Sequence, residues 1–167
     1  AELTNRDGYR LGQLLDLAAL QSALGDDHVV LFRKHPGIVE ALPADAEPFA
    51  RDVSDFPDLI ELLLVADALV TDYSSSMFDF ACTGRPMIFF TPDLEVYRDE
   101  IRGFSIDFEA DAPGPLLRTT ADVIDALRDP GAVAAAYRDR YERFVASYCS
   151  LSDGGASSRV VEHVFSW

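Results

Sequence analysis

The sequence predicts an α/β domain in which a parallel sheet is covered on both faces, giving three layers. Short apolar runs alternate with amphipathic stretches of ten or so residues, the pattern of βαβ units. Glycines fall where helices stop, at Gly25, Gly84 and Gly103, and prolines where helices start, at Pro57 and Pro130. The length of 167 residues suits one domain, and 49% apolar residues with eleven Phe and six Tyr supply a core.

From Leu11 to Leu24 the residues Leu14, Leu15, Leu17, Ala18 and Leu24 recur near helical spacing before Gly25. Val29 to Phe32 is a buried strand that runs into the basic loop Arg33, Lys34, His35 and Pro36. A polar connection from Pro43 to Pro48 leads to a short strand over Phe49–Val53, then to a helix over Pro57–Ala66. Residues 67–72 form a strand, and 73–84 a loop that enters a helix closed by Gly84. RPMIFFTPD, 85–93, is a further strand stopping at Pro92, and 94–103 is amphipathic. The segment 107–118, rich in Pro, Gly and acid, is expected to be a surface loop. Thr119 or Thr120 caps a helix over 121–129, Pro130 opens a long helix to about Ser147, and Asp153–Phe165 is a last short one.

Fourteen Lys and Arg against 29 Asp and Glu leave a net charge of −15, which repels nucleic acid and anionic lipid surfaces. Any anionic ligand therefore needs a local positive pocket. Cys82 and Cys149, in apolar sequence surroundings, form neither a disulfide framework nor a zinc cluster and fit a reducing cytoplasm. Cys82 is expected in the core, on the apolar face of the helix after the serines, with Met77, Phe78 and Phe80 as packing residues. No stretch approaches the roughly 20 apolar residues of a membrane span, and the start lacks a signal peptide. His28, His35 and His163 show no metal-ligand spacing, so neither metal nor cofactor is expected. The P-loop and G-x-G-x-x-G patterns are missing, which argues against their chemistries.

In parallel α/β sheets ligands bind at the carboxyl ends of strands. Thr71-Asp72-Tyr73-Ser74-Ser75-Ser76 lies there, where a helix start offers backbone N–H groups and serine hydroxyls to a phosphate. The same serines are equally readable as an N-cap alone. Arg33, Lys34 and His35 are dense enough to hold a diphosphate or to be a solvated loop. Arg98 and Arg102, spaced i, i+4, converge on a ligand or pair with Asp99 and Glu95. Asp93 and Glu95 accept from ribose or glycerol hydroxyls, or serve a turn.

RKHP at 33–36, the run from 52 to 108 with its DYSS-x-x-FD, PxIFF-x-PD and RGF elements, PGP at 113–115 and DGGASSRVVEHV at 153–164 carry a resemblance. Over about residues 28–166 the chain resembles the carboxyl-terminal half of the CDP-glycerol glycerophosphotransferase family, the wall and capsule teichoic-acid primases and polymerases. The resemblance implies a Rossmann-like domain over 1–167, one half of a two-domain, glycosyltransferase-B-like enzyme on the cytoplasmic face of the membrane. It also implies transfer of glycerol phosphate from CDP-glycerol, or a related CDP-polyol, to a hydroxyl of a polymer on a lipid carrier, with release of CMP. By the same resemblance His35 contacts the donor phosphates as the catalytic residue, Ser74 and Ser75 cradle them, Arg102 is a further anion contact, and Asp72 orients the loop. Ser105 departs from the family's usual aromatic residue.

Family members have an acceptor-holding amino-terminal half and a strand before the first helix, and neither is recognisable here. The sheet is thus expected to lack that strand, leaving edges on which copies can pair, and the chain alone is expected to be inactive. Two other readings stay open, a non-catalytic nucleotide-diphosphate-binding module and the donor half of a nucleotide-sugar glycosyltransferase.

Overall fold

The computed structural model describes residues 15–25, 27–34 and 41–166. Helix α1, Leu17–Leu24, starts at Asp16, whose Oδ1 accepts the Ala19 N–H at 2.9 Å, and buries Leu17, Leu20 and Leu24. Strand β1, Val30–Phe32, lies parallel to β2, Ala50–Asp52, with Val30 opposite Ala50. Helix α2, Leu59–Val65, begins two residues after Pro57 because the Asp58 carboxylate takes the Ile60 N–H at 2.8 Å. Strand β3 is Leu69–Thr71, helix α3 Ser76–Ala81, and β4 Met87–Phe90. A short α4, Leu94–Val96, continues into a π-helical turn at Tyr97–Ile101. Then come α5, Phe108–Asp111, β5, Leu116–Leu117, α6, Thr120–Arg128, α7, Pro130–Tyr148, and α8, Ala156–Phe165.

All three strand pairings are parallel, β1 with β2, and β4 between β3 and β5. The expected sheet is therefore present in two pieces, with no β1–β3 pairing among the described residues. One core unites the pieces: Ile88 and Phe90 of β4 pack with Leu17, Leu20, Ala50, Val123 and Ile124, and Val30, Phe32 and Val70 lie against them. The other face of β4, Met87 and Phe89, packs with Leu63, Phe80, Phe108 and Phe144 of the opposite helical layer.

Three expectations about burial fail. The strand over Val29 to Phe32 is not buried, since Val29 and Leu31 are exposed and Val30 and Phe32 are half-buried. Residues 107–118 are not a surface loop, since Phe108, Ala112 and Pro113 are buried and Leu116–Leu117 is the edge strand β5. The cause lies at Gly114, which passes so close to β4 that a Cβ there would fall 2.0 Å from the Met87 carbonyl oxygen. Cys82 is exposed rather than in the core. Helix α3 ends at Ala81, so Cys82 sits in the closing turn and does not extend the face of Met77, Phe80 and Ala81. Cys149 is buried, and burial pushes its thiol pKa up.

Candidate functional site

Strands β3, β4 and β5 are parallel, so the loops that follow them leave one edge of that sheet. After β3, Asp72 Oδ1 accepts the Ser74 N–H at 3.0 Å. Ser74 Oγ in turn accepts the Ser76 N–H at 3.3 Å and the Ser76 hydroxyl at 3.1 Å. Ser74 thus does the capping, while Ser75, at the N-cap position of α3, makes no side-chain capping bond. Both are exposed on the edge.

The loop after β4 meets this one through aromatic contacts. The Tyr73 hydroxyl donates to Asp93 Oδ1 at 2.8 Å, and its ring stacks on Tyr97 at 4.0 Å. The π-turn closes when both Arg102 and Gly103 donate their N–H groups to the Tyr97 carbonyl, at 3.1 and 3.0 Å, and Gly103 takes φ +70°. Because the turn is π-helical, the i, i+4 face expected for Arg98 and Arg102 does not form. Arg98 pairs with Asp99 and Glu109, which holds the Asp99 carboxyl below its usual range, while Arg102 is exposed at the end of the turn.

Glu95 is engaged by Arg118, which follows β5 and donates two hydrogen bonds to it, one at 3.0 Å. That guanidinium is the main cause of the lowered Glu95 pKa. On the β1–β2 side, Lys34 forms a 2.8 Å ion pair with Asp52 and donates its N–H to Ser54 Oγ at 3.0 Å. The Lys34 ammonium first, and second Ser54, whose N–H donates to Asp52 Oδ1 at 3.0 Å, hold the Asp52 pKa at about 2. Arg33 donates to the Phe56 carbonyl at 2.7 Å. Both cations therefore tie the β1 end to the loop after β2. His35 lies outside the described residues.

Tyr73, Arg118, Asp52 and Ser54 were not singled out from the sequence. Arg118 is hidden in the sequence because the two residues of β5 carry no strand pattern of their own, whereas Tyr73 stands inside the DYSS motif. A groove of about 290 Å³ bordered by Gln21, His28 and Arg128 lies at the opposite edge, by the amino end of β1, so it is remote from these loops. Among the described residues no three His, Cys, Asp or Glu side chains are grouped to hold a metal ion, and no helix is long and apolar enough to cross a membrane.

The family described as CDP-Glycerol:Poly(glycerophosphate) glycerophosphotransferase matches over residues 4–166. A teichoic acid glycerol-phosphate transferase of Staphylococcus aureus (strain NCTC 8325 / PS 47) is 41% identical over 98% of this chain and 42% of its own length. A teichoic acid poly(glycerol phosphate) polymerase of Bacillus subtilis (strain 168) is 42% identical over 94% of this chain and 21% of its own. A solved structure of a variant of the wall teichoic acid polymerase TagF, soaked with CDPG, superposes with a TM-score of 0.81 at 35% identity, over 92% of this chain and 40% of that one. The fold is thus that of a Rossmann-like half of a glycosyltransferase-B-like enzyme. The chain spans 42% or less of the length of each of these relatives.

Proposed function

This chain belongs to the CDP-glycerol:poly(glycerophosphate) glycerophosphotransferase family, and we propose that it is the carboxyl-terminal, donor-binding half of such an enzyme. The observation that carries this reading is the parallel register, which sets the serine loop after β3 beside the Asp93 loop after β4. An exposed edge bearing hydroxyls, an Arg at the end of a π-turn and an oriented carboxylate suits a nucleotide diphosphate with a polyol arm.

In the proposed reaction an acceptor hydroxyl oxygen attacks the phosphorus that bears glycerol. A new P–O bond forms as the bond to the bridging oxygen breaks, CMP leaves with the electron pair, and the hydroxyl proton passes to a base. Positioning and charge stabilisation supply most of the acceleration in such transfers. Ser74, Ser75 and Ser76 and Arg102 would face the diphosphate, joined by His35 of the RKHP loop. Asp93 would face donor hydroxyls. Glu95 is better suited to holding Arg118 and the β5 end in place than to binding donor, since its carboxylate accepts two bonds from that guanidinium. Arg33 and Lys34 would set the path of the loop to His35. Asp72 would shape the serine loop through its bond to the Ser74 N–H. The acceptor polymer and its lipid carrier would meet another part of the enzyme, working at the cytoplasmic face of the membrane.

Calorimetric titration with CDP-glycerol, CDP-ribitol, UDP-glucose and CMP tests the reading. The expected result is that CDP-glycerol or CDP-ribitol binds more tightly than CMP, with UDP-glucose weakest. Binding of UDP-glucose without binding of either CDP-polyol would overturn it in favour of a sugar transferase.

A further inference from the structure

Two loops must keep a fixed spacing if one donor is to touch the serines and Asp93 together, and one side chain spans both. Tyr73 leaves the end of β3 one residue before Ser74, yet its hydroxyl reaches Asp93 Oδ1, beyond β4, at 2.8 Å. Its ring is stacked on Tyr97 at 4.0 Å with the planes 24° apart, and Phe104 and Phe108 lie at 5.5 and 5.7 Å. Tyr97 is also the residue whose carbonyl collects the Arg102 and Gly103 N–H groups, so the same stack fixes where Arg102 leaves the π-turn.

We infer that Tyr73 is a positioning residue of the donor site: its ring and hydroxyl tie the serine loop to the Asp93 carboxylate and to the turn that carries Arg102. The inference rests on the donor-binding reading above and adds to it the device that keeps the edge ordered before ligand arrives. A hydrogen bond to an ionised carboxylate is roughly twice as strong as a neutral one. Its effect here is to aim that carboxylate and to remove loop freedom that binding would otherwise have to remove.

A role in packing alone makes a different forecast, because a phenylalanine ring would serve the stack as well as tyrosine does. Tyr73→Phe should leave thermal stability within a few degrees and weaken CDP-glycerol binding about tenfold. Asp93→Ala should weaken it at least as much, whereas Asp93→Asn, which keeps an acceptor oxygen, should retain most of the affinity. The double variant Tyr73→Phe with Asp93→Ala should bind no worse than the weaker of the two singles. Tyr148→Phe, which deletes a comparable 2.7 Å bond to Asp111 on another part of the fold, is the control and should bind as the parent does. Calorimetry of the chain with CDP-glycerol, alongside circular dichroism melts, reads all of these. If the parent chain binds neither CDP-glycerol nor CDP-ribitol, the donor-binding reading falls and takes this inference with it; if it binds only CDP-ribitol, that ligand is the probe for every variant. If the parent binds but Tyr73→Phe stays within twofold, or the two losses simply add, or the loss comes with a melting drop of more than about 5 °C, the positioning role is overturned while the donor-binding reading stands.

Discussion

Replacing Gly114 by Ala should damage the fold more than any other single methyl group added at a described glycine. A Cβ built there lies 2.0 Å from the Met87 carbonyl oxygen and 2.8 Å from its carbon, both backbone atoms in a strand buried on every residue. Carbon rarely approaches a carbonyl oxygen closer than about 3.3 Å, so β5 would have to retreat from β4 by ~1 Å. The ladder bonds from Phe89 N–H to the Pro115 carbonyl, 2.9 Å, and from Thr91 N–H to the Leu117 carbonyl, 2.7 Å, cannot survive such a retreat. Two lost bonds at about 1 kcal/mol each and overpacking of about 1–3 kcal/mol total roughly 3–5 kcal/mol. For a domain of this size that is a fall of roughly 6–20 °C in melting temperature. Gly84→Ala is the comparison: its φ of +73° disfavours a side chain, but nothing lies within 4 Å, so a cost of about 1 kcal/mol and a few degrees follows. Thermal melts followed by circular dichroism read both. If Gly114→Ala melts within 3 °C of Gly84→Ala, the claim that close β4–β5 approach dictates the PGP segment is refuted.

The Lys34–Asp52 pair gives a pH signature. The Asp52 pKa is depressed in the fold to about 2, so its stabilising contribution is present above the unfolded value near 4 and is lost as pH falls from there through 2. With Asp52 about a third exposed, solvent screening leaves about 1 kcal/mol of it. Lys34→Met should narrow the stability difference between pH 5 and pH 2 by the larger part of that amount in urea titrations, the Ser54 share remaining, and an unchanged difference would count against the pair. Ser74→Ala combined with Ser75→Ala should weaken CDP-glycerol binding by at least tenfold. The lost Ser76 N–H cap should lower the melting point by only a few degrees, and intact affinity with a large melting loss would leave the serines as a cap alone.

Most of the layer order was legible because it is written locally. Val30–Phe32, Leu69–Thr71 and Met87–Phe90 are apolar runs bounded by turn residues, and the caps at Asp16, Asp58 and Thr119 sit next to the helices they start. What escaped was decided by partners distant in sequence. Leu116–Leu117 is too short to announce itself as a strand and becomes one only because Gly114 lets it lie against Met87. The π-turn at Tyr97–Ile101 has no periodicity of its own, and it is the Tyr97 carbonyl taking two N–H groups that marks it. The serine loop was visible as a motif, but Arg33 and Lys34 looked like anion ligands since their partners, Phe56 and Asp52, are about 20 residues away.

The charge of −15 also reads differently once the pairs are known. An acidic chain that binds an anion needs the carboxylates around its site answered as well as some cations nearby. At the strand ends several carboxylates have a donor: Asp52 has Lys34, Asp72 has the Ser74 N–H, Asp93 has the Tyr73 hydroxyl, Glu95 has Arg118, and Asp99 and Glu109 share Arg98. Within a Debye length of about 8 Å at physiological salt, the ion pairs made by Lys34, Arg118 and Arg98 offset part of that negative charge. On the proposed reading, a diphosphate approaching Ser74, Ser75 and Arg102 would meet hydroxyls, backbone amides and one guanidinium in a local field less negative than the bare count of acids implies. Lys34, Arg98 and Arg118, which a simple count would assign to the ligand, are thus paired with neighbouring acids. Removing Arg118 would therefore weaken an anion's hold from a distance by unmasking Glu95, and raising the salt concentration should rescue that loss in part.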